Sequence, residues 1–209
     1  MRTLLLLSPL LLTVACSSPN TESASSATTP PLSDTATLPE PLDTAQPVPI
    51  DAQADTLLTS RSRHIFSSPG TPDVFSLVLR GASVLTSEAT FTITTAGGQV
   101  IFREMLSAAD LEAAMVYEMQ GPTATQAERE AYVRRRIREF FAEKNFRRPA
   151  VAASATFPAA AEAPAGTDRA AWDDLRRRPD AVGFQYLVGK EDRRTIAWSA
   201  LRKQVVRVR

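Results

Sequence analysis

The 209 residues contain 24 Lys plus Arg and 23 Asp plus Glu, a near-neutral balance that hides two oppositely charged parts. Residues 17–60 hold six acids and no base, whereas residues 61–209 hold 23 bases and 17 acids. A single cysteine excludes an intrachain disulfide, a paired-thiol redox centre and a zinc site built from several cysteines. The composition predicts an acidic N-terminal part and a mildly basic domain.

The first residues of the chain have the pattern of an export signal. The start is basic at Arg2, Leu4–Val14 is apolar, and the small Ala15 precedes Cys16. A membrane-spanning helix needs about 20 apolar residues, and this run has roughly half of that length. We therefore predict a signal peptide over residues 1–15.

The segment Val14-Ala15-Cys16-Ser17 resembles the lipobox of bacterial lipoproteins, although Thr13 stands where leucine is commonest. The resemblance implies that signal peptidase II cleaves between Ala15 and Cys16, and that Cys16 carries a diacylglycerol and an N-acyl chain. Two or three such chains hold a protein stably at a membrane, because each buried CH₂ contributes about 0.8 kcal/mol. No cofactor is expected apart from this covalent lipid. An ordinary cleaved signal peptide is the alternative.

The lipidated cysteine is followed by a predicted tether, and the two together cover residues 16–55. Residues 17–55 contain seven prolines and many Ser, Thr and Ala residues, but no glycine and no aromatic residue. Such a composition buries too little apolar surface to offset the entropy of ordering, so we expect a disordered, partly extended spacer. Recognition as a PxxP ligand is the alternative interpretation.

Residues 56–209 are predicted to form a single globular domain. Asp73–Arg80 and Glu88–Thr95 alternate apolar and polar residues with the period of a strand. Gly97-Gly98 predicts a tight turn into a third strand over Gln99–Glu104. The domain is therefore expected to begin with an antiparallel meander.

Two capping patterns predict the next two helices. Ser107 with Asp110 favours the start of a short helix. Thr125 with Glu128 favours a long helix that ends near Asn145. The apolar residues of the long helix recur with helical spacing, and they are Val133, Ile137, Phe140 and Phe141.

A third helix is predicted after a low-complexity segment. Residues 150–166 are rich in Ala and Pro and indicate a surface insertion, in which Val151–Phe157 is a candidate edge strand. Thr167 is the predicted cap of the helix that carries Trp172 and Leu175.

A second meander is predicted over Val182–Val188, Thr195–Ser199 and Gln204–Val208. Its apolar residues match across the strands, and they are Phe184, Tyr186, Val188, Ile196 and Trp198. The order of three strands, three helices and three strands predicts an α+β domain, an antiparallel sheet with helices on one side.

Four short segments stand out in the globular part: Arg138-Glu139-Phe140-Phe141, Lys144-Asn145-Phe146, Gly183–Asp192 and Ile196-Ala197-Trp198-Ser199. With these segments, residues 73–209 resemble an uncharacterised family of small lipoproteins from Bacteroidota. The resemblance implies a cell-envelope location and assigns no activity.

Few residues have a pattern typical of catalysis. His64 is the sole histidine, and its place at the junction of tether and domain predicts a solvated side chain without a partner. The pairs Asp173-Asp174 and Glu191-Asp192 are candidate carboxylates, but neighbours point apart on a helix and turn chemistry accounts for the second pair. The sequence contains no Gly-x-Ser-x-Gly, phosphate-binding glycine loop or His-Glu-x-x-His. It therefore predicts no catalytic residue and no metal site.

One candidate binding surface comes from the arginine runs. Arg134, Arg135 and Arg138 on the long helix form a candidate anion-binding patch for an envelope polymer or lipid. The alternative is a solvated surface, because consecutive helix residues fan round the axis. Nucleic acid is not expected as a partner, since an exported domain does not meet it.

The sequence thus predicts a non-enzymatic, lipid-anchored binding module of the cell envelope. Its expected partners are the membrane and an unknown envelope protein, glycan or lipid. The alternatives are a hydrolase whose carboxylates converge only in the fold, and a structural or inhibitory accessory lipoprotein of an outer-membrane machine. Ser17 stands where inner-membrane lipoproteins carry aspartate, and residues 17–21 hold no acid. By the sorting rules of similar lipoproteins, this predicts the periplasmic face of the outer membrane.

Overall fold

The computed structural model describes residues 54–159 and 168–209. The predicted signal peptide, Ala15, Cys16 and almost all of the tether lie outside these residues, as does most of the second half of the 150–166 insertion. The described residues contain eight strands in chain order: β1 Thr56–Ser68, β2 Thr71–Arg80, β3 Glu88–Thr94, β4 Val100–Ser107, β5 Phe146–Arg147, β6 Gly183–Val188, β7 Asp192–Ser199 and β8 Gln204–Arg207.

Three α-helices lie between the strands: α1 Ala108–Glu112, α2 Gln126–Glu139 and α3 Arg169–Arg177. Short 3₁₀ helices cover Val84–Thr86, Ala113–Tyr117 and Glu143–Asn145. The strands form two four-stranded antiparallel sheets, ordered β1-β2-β3-β4 and β5-β6-β7-β8. The α+β class is confirmed, and the predicted antiparallel sheet is in fact two sheets.

The first sheet confirms the alternation read from the sequence. In the β2–β3 ladder, Leu77 faces Phe91 and Leu79 faces Ala89, and all four side chains are fully buried. The predicted turn before β4 is also present, because Thr95 N donates to Gln99 O at 2.8 Å and Gly98 has a φ of +84°. A positive φ favours glycine, so this residue determines the turn.

Strand β1 was not predicted, although it is the longest strand of the described chain. Arg61 and Arg63 are exposed on one face, while Ser62 and His64 are half-buried on the other. Because polar residues occupy both faces, the apolar–polar alternation that predicts a strand is missing. The strand forms through its ladder with β2, in which His64 lies opposite Asp73.

The predicted capping boxes start α1 and α2. Asp110 N donates to Ser107 Oγ at 3.0 Å, and Glu128 N donates to Thr125 Oγ1 at 3.3 Å. The stripe of α2 enters the core as predicted, at Val133, Ile137, Phe140 and Phe141. The α-helix ends at Glu139, and Asn145 caps its last turn by donating from Nδ2 to Phe140 O at 2.9 Å.

The cap of α3 is Asp168, so the prediction of Thr167 is wrong by one residue. Asp168 Oδ1 accepts from Ala171 N at 2.6 Å, which satisfies an N–H group of the first turn. Trp172 and Leu175 are buried, as predicted. The prediction of an edge strand over Val151–Phe157 is also wrong, because these residues form no strand. The strand that pairs with β6 is β5.

The second sheet is covered on both faces. Phe184 and Tyr186 belong to the main core with α2 and the first sheet, and the rings of Phe91 and Phe184 lie 5.5 Å apart. On the opposite face, Ala197 and Val206 pack with the buried side of α3. The helices therefore lie on two sides of this sheet, and the expectation that they share one side is corrected.

Candidate functional site

A cleft of about 470 Å³ opens between the first and the second sheet, where β1 meets β5. We call it the His64 cleft, and His64, Phe146 and Arg147 are among its lining residues. A second cleft of the same volume lies beyond Arg147, against Trp172 and residues 150–158. Both clefts border the short β5 strand, whose position therefore determines their shape.

Close packing fixes the position of β5. Arg147 pairs with Gly183 on β6, and Ala150 N donates to Ala181 O at 2.8 Å. A side chain at Gly183 would bring a Cβ within 3.1 Å of the Ala150 Cα. The absence of a side chain at Gly183 thus lets the segment after β5 approach the second sheet.

His64 forms one wall of the cleft and is only 13% exposed. Its ring stacks on Phe146, with the ring centroids 3.4 Å apart, and meets the edge of Phe75 at 5.8 Å. Burial lowers the pKa of His64 below its ordinary value, and the nearby Glu143 carboxylate partly opposes this effect. The expectation of a solvated histidine is wrong, because β1 carries this residue into the domain.

The polar partners of His64 do not form a catalytic relay. Ser62 Oγ lies 2.9 Å from His64 Nε2, and Glu143 Oε1 lies 3.8 Å from the same nitrogen. A relay needs the nucleophile and the orienting carboxylate on opposite ring nitrogens. Glu143 is also 88% exposed, so solvent screens its charge. This arrangement does not activate Ser62 as a nucleophile.

Three arginines line the His64 cleft. Arg63 comes from β1, Arg147 from β5, and Arg148 follows it. All three are exposed, and within the described residues their side chains make no hydrogen bond or ion pair. Glu143 is the one acid among the residues that line the cleft. The structure thus places three unpaired cations around a partly apolar hollow.

The three arginines of the predicted anion-binding patch on α2 have different surroundings in the structure. Arg134 lies 3.9 Å from Glu130, whereas Arg135 pairs with Glu118 and covers the ring of Tyr132 at 5.1 Å. Arg135 and the exposed Arg138 line the same shallow groove. The structure therefore brings two of the three arginines together, and their role in binding stays a prediction.

A partly buried ionic cluster, which the sequence did not predict, joins the two sheets. Glu104 of β4 accepts hydrogen bonds from Tyr186 Oη, from Arg194 and, at 2.7 Å, from Arg207. The Glu104 side chain is 11% exposed, and burial together with its hydrogen bond raises the pKa of Tyr186. We call these four residues the Glu104 cluster. Its carboxylate is fully engaged in joining the sheets.

The candidate acidic pairs are engaged with other side chains of the domain. Asp173 contacts Arg169 at 2.9 Å and Arg176 at 3.2 Å, while Asp174 lies 3.9 Å from Arg177. In the second pair, Glu191 accepts from Tyr117 Oη at 2.8 Å, and Asp192 accepts from Arg194 Nε at 2.7 Å.

Within residues 54–159 and 168–209, no group of three or more His, Cys, Asp and Glu side chains is arranged to hold a metal ion. In the same ranges no helix has both the length and the apolar character to cross a membrane. Comparison of the chain with protein-family models, with curated proteins and with solved structures finds no match. The resemblance to small Bacteroidota lipoproteins stays a prediction.

Proposed function

We propose that this protein is a lipid-anchored binding module of the cell envelope, and that its ligand occupies the His64 cleft. The anchor is the lipid on Cys16, the tether spans residues 17–55, and the ligand is an envelope protein, glycan or lipid. The location is the periplasmic face of the outer membrane. Nucleic acid is not a partner.

The observation that carries the proposal is the composition of the His64 cleft. Arg63, Arg147 and Arg148 line it without partners in the described chain, and His64 is held on Phe146 with both polar contacts at one nitrogen. Unpaired donors around a hollow of about 470 Å³ suit recognition of a ligand, since small-molecule sites occupy roughly 300–1,000 Å³. The same arrangement lacks the relay that nucleophilic catalysis needs.

The anchor is tested by the mass of the mature N-terminus. Wild-type protein is expected to begin at Cys16 with a thioether-linked diacylglycerol and an N-acyl chain, whereas Cys16→Ser is expected to lose the lipid and the cut after Ala15. The wild-type N-terminus is expected to carry this lipid, whereas the variant is expected to keep residues 1–15 and to carry no lipid. An unmodified wild-type N-terminus at another residue overturns the lipoprotein assignment.

The cleft is tested by filling it. Ile65 lines the His64 cleft and is 44% exposed, whereas Val100 does not line it and is 46% exposed. In a chain that lacks residues 1–16, retention on isolated envelopes reports on the part that follows the predicted anchor. Ile65→Trp is expected to lower retention about fivefold or more, because an indole ring blocks the hollow, and Val100→Trp to leave it within about twofold. Equal retention of both variants overturns the assignment of the cleft.

The alternative is a hydrolase that uses Ser62 and His64 without an orienting carboxylate, since Ser62 Oγ lies 2.9 Å from His64 Nε2. Purified wild-type and Ser62→Ala chains are therefore incubated with envelope glycans and phospholipids, and the products are measured by mass spectrometry. We expect no product from either chain. Product that Ser62→Ala abolishes makes the protein an enzyme and contradicts the binding-module proposal.

A further inference from the structure

We propose that the His64 cleft binds an oxyanion, a phosphate or carboxylate group carried by a sugar-sized ligand, through Arg63, Arg147 and Arg148. The inference rests on the proposed function and deepens it by naming the chemistry of the ligand. Two different strands bring these cations to one hollow, since Arg63 belongs to β1 and Arg147 to β5.

The state of these cations differs from that of other arginines in the domain. Arg129, Arg194 and Arg202 each contact a carboxylate. At the His64 cleft, three guanidinium groups have no carboxylate partner in the described residues. Three like charges around one hollow repel one another, and a bound anion relieves that repulsion. The planar donor fork of arginine matches the geometry of phosphate and carboxylate.

The rest of the lining suits the body of a small ligand. Ile65, Pro72 and Val182 contribute apolar surface beside the stacked rings of His64 and Phe146. The volume of about 470 Å³ lies in the range of small-molecule sites, roughly 300–1,000 Å³. Apolar walls beneath a rim of charged donors accept the less polar face of a sugar ring while the arginines hold its acidic group.

Two of the arginines sit on backbone that is fixed before a ligand arrives. Arg63 lies opposite Val74 in the β1–β2 ladder, and Arg147 lies opposite Gly183 in the β5–β6 ladder. The segment after Arg147 packs against Gly183 more closely than a side chain there would allow. Fixed backbone lowers the entropy lost when the arginines close on an anion.

The experiment uses His64 as the reporter, because it is the sole histidine of the chain. The full-length protein, labelled with ¹³C-histidine and free of a polyhistidine tag, is titrated in detergent with glucose 1-phosphate, glucuronate, glycerol 3-phosphate and neutral glucose. We expect a saturable shift of the His64 ring signal with at least one acidic sugar, and none with glucose. A stronger effect of glycerol 3-phosphate supports the oxyanion site and identifies a phospholipid headgroup as its source.

Matched variants separate the site from general charge. Arg147→Gln is expected to weaken the acidic probe about tenfold, as loss of a charge-assisted hydrogen bond does. Arg193→Gln removes the same charge from an exposed β7 residue that does not line the cleft, and is expected to change affinity less than about twofold. An unchanged ring signal without ligand and an unchanged melting temperature verify the fold of both variants.

The oxyanion inference is overturned if no acidic probe shifts the signal, if glucose shifts it equally, or if the two variants weaken binding to the same extent. If Ile65→Trp loses envelope retention but no acidic probe shifts the His64 signal, the oxyanion inference is rejected and the proposed binding function is retained. Normal retention in Ile65→Trp would instead reject the cleft as the site of the proposed function.

Discussion

The Glu104 cluster and the His64 cleft both contain several arginines, but only those of the Glu104 cluster pair with a carboxylate within the described residues. In the Glu104 cluster, Arg194, Arg207 and Tyr186 all donate to the partly buried Glu104 carboxylate, and they join β4 to the second sheet. At the His64 cleft, three arginines line a hollow with aromatic and apolar residues, and within the described residues they make no ion pair. Where arginines share a carboxylate, they link the two sheets. Where they have no such partner among the described residues, their N–H groups remain available to a ligand.

The largest expected effect comes from breaking the Glu104 cluster. Glu104→Gln keeps the size of the side chain but removes the charge that two arginines share, so the free energy of unfolding is expected to fall by about 2–3 kcal/mol. This is below the value for a fully buried pair, because Arg207 is 34% exposed. Urea unfolding followed by circular dichroism measures the change.

The matched control is Glu118→Gln, which breaks the pair with Arg135 on the surface. An exposed pair contributes about 1 kcal/mol at most, so this control is expected to lose no more than that amount. Equal losses in the two variants would contradict the distinction between a linking cluster and a surface pair.

A smaller loss is expected where the His64 cleft depends on close packing. Gly183→Ala places a Cβ 3.1 Å from the Ala150 Cα, so we expect a loss of about 1–2 kcal/mol and a displaced β5. The displacement moves Arg147, so the response of His64 to acidic probes is expected to weaken as well. Urea unfolding and the histidine ring signal measure the two effects.

Gly121→Ala is the control for this substitution, because a Cβ there meets nothing within 4 Å and the φ of Gly121 is not positive. Its free energy of unfolding is expected to stay within about 0.5 kcal/mol of wild type. A stable Gly183→Ala with full probe binding would show that the approach of residue 150 does not position the cleft.

The smallest expected effect is the pH dependence that His64 introduces. Burial lowers the pKa of His64, so the unfolded chain binds its proton more readily than the folded one. Its contribution to stability is therefore complete above the ordinary histidine pKa of about 6.5 and is lost as the pH falls below that value. His64→Phe keeps a ring against Phe146 and removes the titration.

Melting temperatures between pH 8 and pH 5 check this prediction. The wild-type chain is expected to lose stability relative to His64→Phe as the pH falls, with the difference developing below about pH 6.5. Parallel curves, or a relative gain by the wild-type chain at low pH, would show that His64 is not held in its neutral form by burial.

The local signals of the sequence predicted much of the fold. The alternation in β2 and β3, the capping boxes at Ser107 and Thr125 and the stripe of α2 all depend on neighbours within a few residues. Strand β1 was missed because its polar residues lie on both faces, and the two-residue β5 is too short to show a period. Both missed strands are stabilised by their partners more than by their own pattern.

The candidate site was not predicted either, because it also depends on which strands pair with one another. In the sequence, nothing distinguishes Arg147 and Arg148 from another arginine pair such as Arg193-Arg194, and the prediction of a solvated His64 was wrong. The alternation of Arg61 and Arg63 with Ser62 and His64 was the one signal of a strand there. No local pattern relates Arg63 to Arg147, because β1 belongs to the first sheet and β5 to the second. The two arginines line one cleft only because the two sheets pack together.

The sequence by itself determined the α+β class, the turns and the helix starts, because these depend on hydrogen bonds and apolar periods between near neighbours. The composition of the first 55 residues also predicts the export signal and the tether. Only the tertiary structure decided that there are two sheets and that Glu104 neutralises arginines from two other strands. It also decided that three other arginines lie around His64 with no partner among the described residues. The physical reason is that distant strand pairing sets the surroundings of these arginines and leaves no trace in the residues next to them in the sequence.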